Sequence, residues 1–438
     1  MQETDLIIIG GGPGGYETAA EAASAGLKVV LFERDKLGGT CLNRGCIPTK
    51  CLCATAKRLN DIRKAADLGV SAADPVLDFD SVRKRLGEVT DTLRDGIETV
   101  LDGVEIVREE ASLSGPDSVT AGGKTYTAPR IIIATGSAPA RLNADSAGSA
   151  LTSDDVLALD HVPESMLIIG GGVIGLEFAS VFNSFGSKVT VLEYCKEILP
   201  GFDRDIAKRL RSYLSRRGIE FATGAEVTAV KGSCVRYVQK GKEKSAEAAC
   251  VVTAVGRKAV VPDGLEKAGI ETDRRGFIKT DADFRTTVPG IYAIGDVNGR
   301  CMLAHAAAAQ GRAVLGTEVS LDIMPGVVFT DPECAMAGLT SEQADELDRE
   351  YMTVKLPYGS NGKALASGES DGFVKLLVDK ESGRIIGCHC IGAHAADIIA
   401  EAATAMQTGI TARRLAFGCI HAHPTISELL SSAAAIAR

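Results

Sequence analysis

LIIIGGGPGGYETAAEAASAGLKVVLFE, residues 6–33, is the stretch that decides the fold of this 438-residue chain. A short apolar run enters a turn containing Gly10, Gly12 and Gly15, and a helical segment and a second apolar run follow, ending at Glu33. This order is typical of a dinucleotide-binding βαβ unit, in which the glycines permit a tight turn, close approach of a pyrophosphate and close packing of helix on strand.

The same pattern returns in the middle of the chain as MLIIGGGVIGLEFASVFNSFGSKVTVLE, residues 166–193. Its glycines are Gly170, Gly172 and Gly175. Glu193 follows the first of them by 23 residues, the spacing that also separates Glu33 from Gly10. One copy would be a weak signal, because glycine-rich turns occur in unrelated α/β proteins. Two copies in register predict two nucleotide sites.

The acidic residue that ends each unit indicates which nucleotide it suits. A carboxylate accepts hydrogen bonds from a ribose diol, whereas it repels a ribose 2′-phosphate. Glu193 therefore favours NAD over NADP, and Glu33 suits the adenosine ribose of FAD.

The remaining sequence completes an α/β chain. A polar helix is predicted near Phe79–Leu101, a strand in the run 130–136, and a further strand at 290–296, where the first domain resumes. From about Met324 the pattern changes to short alternating strands and an alanine-rich helix, at 373–378, 384–390 and 395–407. We predict an α/β fold of two Rossmann-like dinucleotide-binding domains plus a C-terminal α+β domain.

Composition restricts the partners and the compartment. Lys and Arg total 48 against 57 Asp and Glu, and no basic run is present, so we expect no nucleic-acid partner. Apolar stretches are shorter than the roughly 18 residues that span a bilayer, and the first residues lack a basic segment and a signal cleavage site. We therefore expect no membrane partner and a cytoplasmic protein.

GGTCLNRGCIPTK, residues 38–50, contains the first two cysteines of a cluster formed by Cys41, Cys46, Cys51 and Cys53. In a reducing compartment such a cluster indicates redox or metal chemistry. A pair that enters a helix can close a small disulfide loop, and a helix N-terminus stabilises a thiolate. Zinc is the alternative, although the paired C-x2-C spacing of structural sites is missing. Cys51 and Cys53 are expected to be buried as small apolar residues.

These motifs resemble the flavin disulfide reductases, the class I pyridine nucleotide-disulfide oxidoreductases, and within them most closely the dihydrolipoamide dehydrogenases. Further motifs appear in the same order, GIYAIGD at 290–296, MLAH at 302–305, VVFTDPE at 327–333 and HAHPTISE at 421–428. The resemblance covers essentially the whole chain. It departs at Arg44, where relatives often have an apolar residue, at Gln310, where an acid is common, and after Arg257, where the usual proline is missing.

The resemblance implies an oxidoreductase that uses FAD and NAD to oxidise protein-bound dihydrolipoyl groups. It implies a homodimer and, as partner, a lipoyl-bearing protein of a 2-oxo-acid dehydrogenase or glycine cleavage complex. By the same likeness, the chain divides into an FAD-binding domain at 1–148 that a central segment at 276–322 completes, an NAD-binding domain at 149–275, and an interface or dimerisation domain at 323–438.

Site residues follow from the matching motifs. The implied FAD contacts are Gly10, Gly12, Gly15, Glu33, Thr40, Lys50, Ala111, Thr135, Gly136, Ser137, Asp296, Met302, Leu303, Ala304 and His305. The implied NAD contacts are Gly170, Gly172, Gly175, Glu177, Glu193, Val227 and Gly256. Lys50 and Glu177 are expected to form an ion pair beside the flavin ring, and His305 to act through its backbone at a helix start.

The implied catalytic residues are Cys41, Cys46, His423 and Glu428. A dihydrolipoyl thiol needs a base before it attacks a disulfide, and imidazole is suited to that step. Glu428 would orient the ring of His423, and the resemblance implies that this pair reaches the disulfide of the other subunit. His421 is expected to pack or hydrogen-bond locally. Arg44 either stabilises the thiolate or points to solvent.

Overall fold

The computed structural model describes residues 2–145 and 148–437. Its strands, in chain order, are β1 (Gln2–Glu3), β2 (Leu6–Ile9), β3 (Val29–Phe32), β4 (Glu105–Val107), β5 (Ser112–Leu113), β6 (Ser118–Ala121), β7 (Lys124–Thr127), β8 (Ile131–Ile133), β9 (Ser137–Pro139), β10 (Ser165–Ile169), β11 (Lys188–Glu193), β12 (Glu220–Thr223), β13 (Ala225–Lys231), β14 (Cys234–Gln239), β15 (Lys242–Glu247), β16 (Cys250–Thr253), β17 (Arg257–Ala259), β18 (Ile291–Ala293), β19 (Gly326–Val328), β20 (Cys334–Gly338), β21 (Tyr351–Pro357), β22 (Phe373–Asp379) and β23 (Ile385–Ile391). Its helices are α1 (Pro13–Ser24), α2 (Gly39–Arg44), α3 (Cys46–Arg63), α4 (Phe79–Val100), α5 (Ser153–Leu157), α6 (Val173–Phe185), α7 (Arg204–Arg216), α8 (Leu265–Ala268), α9 (Ala304–Val314), α10 (Ser341–Glu346), α11 (Gly362–Ala366), α12 (Ala395–Gln407), α13 (Ala412–Gly418) and α14 (Glu428–Ile436).

The first glycine motif lies at the centre of a five-stranded sheet of order β18-β8-β2-β3-β4. All four strand pairs are parallel. The central strands β2, β3 and β8 are buried along their whole length, which explains their continuous apolar runs. β18 pairs with β8, so the chain returns to this sheet within 290–296.

The second motif builds a four-stranded parallel sheet of order β12-β11-β10-β16. The two motifs share one steric constraint. A Cβ atom on Gly15 would lie 1.8 Å from the carbonyl oxygen of Gly10, and one on Gly175 would lie 2.1 Å from that of Gly170. Each helix can therefore approach its strand this closely only with glycine at that position.

The C-terminal unit is a five-stranded antiparallel sheet of order β19-β20-β23-β22-β21, on which α12 and α14 pack. The predicted α+β domain is thus confirmed, as are the two Rossmann-like units. A buried ion pair joins this sheet to the second unit: Lys375 of β22 contacts both carboxylate oxygens of Asp203 at 2.8 Å, and Asp203 caps α7.

Two strands link the first and second units. β9 carries the chain out of the first unit, and β17 carries it back. They pair with each other as an antiparallel ribbon, with Ser137 opposite Ala259 and Pro139 opposite Arg257. Within residues 2–145 and 148–437, no helix combines the length and apolarity needed to cross a membrane.

Candidate active site

Cys41 lies on α2 and Cys46 is the first residue of α3, and both are free thiols in the structure. A hydrogen bond from Cys41 lowers the pKa of Cys46 to about 7, with help from the Lys50 ammonium and against the opposing effects of burial and Glu177. The hydrogen bond to Cys46, and burial, raise the pKa of Cys41. In the dithiol, Cys46 is therefore the residue that carries the negative charge.

Arg44 points to the surface rather than toward the thiolate, the second of the two positions expected for it. Its guanidinium pairs with Asp35 on the surface, and its side chain is 43% exposed. The cation that lowers the pKa of Cys46 is Lys50. Lys50 lies one helical turn after Cys46 on α3, whereas Arg44 is at the end of α2 and is directed toward Asp35.

Three parts of the chain meet at Glu177. Lys50 Nζ lies 3.0 Å from each of its carboxylate oxygens, and the backbone N–H of Phe329 donates to Oε1 at 2.9 Å. The Lys50 ammonium also lies 4.5 Å from the centre of the Phe329 ring. The expected Lys50–Glu177 ion pair is present, and it connects α3, α6 and the segment after β19.

The first nucleotide motif opens into a pocket at the carboxyl end of β2 and β3. Four of the predicted FAD residues line it, namely Gly10, Glu33, Ala111 and Thr135. Glu33 is fixed there because its two carboxylate oxygens accept backbone N–H groups of Gly11 and Asp35, each at 2.8 Å. Ligand sites in parallel sheets lie at this edge, so the pocket has the position expected for a nucleotide.

A second group of predicted FAD residues meets beside this pocket. The Ser137 hydroxyl donates to the Asp296 carboxylate. Arg257 approaches both from the second unit, with Nε donating to Ser137 Oγ at 2.7 Å and lying 3.8 Å from Asp296 Oδ2. Gly136, just before Ser137, has φ +71°, and a Cβ atom placed on it would have no neighbour within 4 Å, so a ligand has room to approach this backbone.

The MLAH motif begins α9, with Leu303 as the residue that caps it. Thr40 lies in the first turn of α2, beside the glycine motif. The side chain of His305 lies 2.9 Å from the carbonyl oxygen of Pro325, which fits a role for His305 that does not require its imidazole at the flavin. Gln310 has a structural explanation, since its buried side-chain oxygen accepts hydrogen bonds from Gly295 N and Asn298 Nδ2 at 2.8 and 2.9 Å.

The second glycine motif repeats the geometry of the first. Glu193 accepts backbone N–H groups of Gly171 and Cys195, each at 2.6 Å. A Cβ on Gly172 or on Gly256 would have no atom within 4 Å, so both positions face open space at the edge where a pyrophosphate would lie. Val227 lies on β13 and packs on the apolar cluster beside this sheet.

His423 and Glu428 form the expected pair. Nδ1 of His423 lies 3.0 Å from Oε1 of Glu428, whose other oxygen accepts the backbone N–H of Thr425 at 2.8 Å. That N–H and His423 lower the pKa of Glu428. His423 is 82% exposed. His421 instead makes a local contact, 2.6 Å from Glu401, as predicted.

The other cysteines of the cluster are packed. Cys51 is buried, and Cys53 packs against an apolar cluster that includes Leu52 and Ala56 and has its pKa raised by burial. Both match the expectation of small apolar packing residues. In the described part of the chain, no group of three or more His, Cys, Asp or Glu side chains is arranged to hold a metal ion.

Two residues that contribute to the site were not predicted from the sequence. Phe329 belongs to the VVFTDPE motif, but only the fold shows that its N–H reaches Glu177. Arg257 follows Gly256 directly. The resemblance assigns Gly256 to the NAD site and does not indicate that the next residue contacts Ser137 and Asp296. The pairing of β9 with β17, which brings these residues together, has no signal in the sequence.

Comparison with known proteins agrees with this geometry. Residues 4–311 match the family described as pyridine nucleotide-disulphide oxidoreductase, and residues 324–434 match its dimerisation domain. A dihydrolipoyl dehydrogenase from Geobacillus stearothermophilus is 40% identical over 99% of this chain and 96% of its own length. One from Bacillus subtilis is 39% identical over the same shares.

Solved structures give the same result. LpdA from Mycobacterium tuberculosis superposes with a TM-score of 0.89 and 28% identity, covering 100% of this chain and 99% of that one. The HOCl-induced flavoprotein disulfide reductase RclA from Escherichia coli has a TM-score of 0.87 and 28% identity, covering 99% of this chain and 100% of that one.

Proposed function

The chain belongs to the pyridine nucleotide-disulphide oxidoreductase family, and from this premise we propose that it oxidises protein-bound dihydrolipoyl groups to lipoyl while reducing NAD+ to NADH. The observation that carries the proposal is the Cys41–Cys46 pair, in which Cys46 has a pKa of about 7 because of its hydrogen bond from Cys41 and the nearby Lys50. A thiol with this pKa is a good leaving group at neutral pH.

The residues around the first pocket fit FAD. Glu33 is available for a ribose diol, the glycine turn leaves backbone N–H groups at the start of α1, and Ser137 and Asp296 supply polar atoms further along. Bound there, FAD would supply the two-electron chemistry that connects the dithiol with NAD+. The chain's contribution is to hold it, to keep Lys50 and Glu177 paired beside it and to present Cys46.

The thiol chemistry uses Cys41 as the residue that is attacked. In the disulfide form, a substrate thiolate attacks Cys41 Sγ, a mixed disulfide forms, and Cys46 leaves as a thiolate. The second substrate thiol then attacks the mixed disulfide, which closes the lipoyl ring and returns Cys41 as a thiol. This order agrees with the structure, where the pKa of Cys41 is raised and that of Cys46 is lowered.

His423 is the base in this proposal. Its Nδ1 is directed at Glu428, which fixes the tautomer and leaves Nε2 free to accept the proton of the substrate thiol. Because the residue is 82% exposed in one chain and belongs to the region that matches the dimerisation domain, we assign it to the disulfide of the partner subunit.

The partner that supplies the substrate is, in this proposal, a lipoyl-bearing protein of a 2-oxo-acid dehydrogenase or glycine cleavage complex. The overall charge of −9 suits a basic docking segment on such a protein.

Mixed dimers provide the decisive experiment. When Cys41→Ser and His423→Gln chains are co-expressed and the heterodimer is isolated, a site shared between subunits leaves one intact centre and one with both defects. We expect about half the native rate of NAD reduction by dihydrolipoamide. A site within one chain would leave two defective centres and almost no activity. Turnover of glutathione disulfide with NADPH, measured alongside, must stay far lower.

A further inference from the structure

We propose that Arg257 is a positioning residue for FAD: it holds Ser137 and Asp296 in the arrangement that binds the flavin nucleotide, from the second unit of the chain. The inference rests on the proposed function in one respect, the assignment of the first pocket and of Asp296 to FAD. It adds a residue that lies outside both glycine motifs.

Arg257 donates two hydrogen bonds to Ser137. Its Nε donates to the hydroxyl oxygen at 2.7 Å and its Nη2 donates to the carbonyl oxygen at 2.8 Å. The hydroxyl hydrogen of Ser137 is then directed to the Asp296 carboxylate, because the oxygen already accepts from Arg257. The rotation of this hydroxyl is thus set by Arg257.

The same guanidinium also acts directly on the carboxylate. Nε lies 3.8 Å from Asp296 Oδ2, and the two side chains are only 14% and 23% exposed. At this burial the attraction is screened less than on the surface. The cation and the hydroxyl donor therefore both restrain Oδ2 of Asp296, which leaves its other oxygen for the nucleotide.

The backbone makes this geometry reproducible. Arg257 is the first residue of β17, and Ser137 is the first residue of β9, the strand with which β17 pairs. Val260 N donates to Gly136 O at 3.0 Å, and Ala140 N donates to Gly256 O at 2.9 Å, so a further backbone hydrogen bond lies at each end of the ribbon. Asp296 reaches the ribbon from the turn after β18. A planar guanidinium with several fixed donors can satisfy both partners at once, which an ammonium does less well.

Release of FAD from the purified holoprotein, followed by the rise in flavin fluorescence after dilution, tests the proposal. We expect Arg257→Met to release FAD about ten to a hundred times faster, the usual effect of losing charge-assisted hydrogen bonds. Arg257→Lys should lie between the native protein and Arg257→Met. Ser137→Ala should also release FAD faster, and the double variant should be no more than about twofold faster than Arg257→Met, because the two residues act as one unit.

Arg211→Met is the matched control, since Arg211 in the same unit makes two hydrogen bonds to Glu197 at 2.7 and 2.9 Å, away from Ser137 and Asp296. It should release FAD at the native rate. Native release from Arg257→Met, equal acceleration in Arg211→Met, or fully additive effects of Arg257→Met and Ser137→Ala would overturn the inference. A native protein that holds no FAD would instead contradict the proposed function.

Discussion

Lys50 and Glu177 are 127 residues apart in the chain, yet the lysine Nζ lies 3.0 Å from both carboxylate oxygens. Glu177 is almost fully buried, whereas Lys50 retains 32% exposure. The ammonium is thus held at one place by a partner from another unit, one helical turn from Cys46. Its effect on the thiol is a property of the folded chain rather than of α3 alone.

Lys50→Met should raise the pKa of Cys46 above its native value of about 7, because the cation that favours the thiolate is lost. Since alkylation requires the thiolate, the reaction of Cys46 with iodoacetamide at pH 7 should slow about three- to tenfold in the reduced protein, and its pH midpoint should move upward. Lys57→Met is the control, because Lys57 lies further along α3 and pairs instead with Asp61 and Glu369. An unchanged midpoint in Lys50→Met would refute the prediction.

The coenzyme preference should follow from Glu193. Glu193 is 6% exposed and its carboxylate is held by Gly171 and Cys195, so it cannot easily turn away from a 2′-phosphate. We expect the catalytic efficiency, kcat/KM, with NADP+ to be lower than with NAD+ by several-fold to about a thousandfold. Steady-state kinetics with both coenzymes decide this, and equal efficiency would contradict it.

His423→Gln should lower dihydrolipoamide turnover by about two to four orders of magnitude, the usual contribution of a positioned base. FAD content should not change, because the residue is exposed. His161→Gln serves as the control, since His161 is also exposed and also contacts a carboxylate, that of Asp160. If His423→Gln kept most of the native activity, another group would have to take the proton.

Lys375→Met should destabilise the chain by about 3–5 kcal/mol, because it leaves the buried Asp203 carboxylate without its cation. Burial alone would raise the pKa of Asp203, but the hydrogen bonds from Lys375 hold it at about 2. The unfolded chain, with the higher pKa, takes up this proton first as the pH falls, so the stabilisation is complete above about pH 4 and is lost toward pH 2. Urea unfolding of both proteins over that range measures it. A difference below about 1 kcal/mol at neutral pH, or one that grows on acidification, would contradict the prediction.

The elements that local pattern controls were predictable. The two βαβ units, the helix at Phe79–Val100 and the helix at Ala395–Gln407 follow from periodicity and glycine spacing, which act over a few residues. The His423–Glu428 contact was also within reach, because its members are five residues apart in a motif with a known family pattern.

Contacts between units were not predictable in the same way. Arg257 beside Ser137, and Lys375 beside Asp203, depend on how sheets pack and pair over more than a hundred residues. Arg44 shows the converse, since its position inside the cysteine loop suggested influence on the thiolate, whereas the orientation of its side chain toward Asp35 gives it another partner. The position of a residue in the sequence limits where its backbone lies, but it does not determine where its charged group points.

Glu33 and Glu193 each use both carboxylate oxygens to accept backbone N–H groups, one from the glycine turn and one from the chain just after the strand. A free glutamate side chain loses about 1.5–2 kcal/mol of rotamer entropy when it is fixed. In both units this side-chain entropy is lost when the chain folds rather than when the ligand binds. In the proposed function the two ribose sites are therefore preorganised, and a nucleotide that enters would meet a carboxylate whose orientation is already determined.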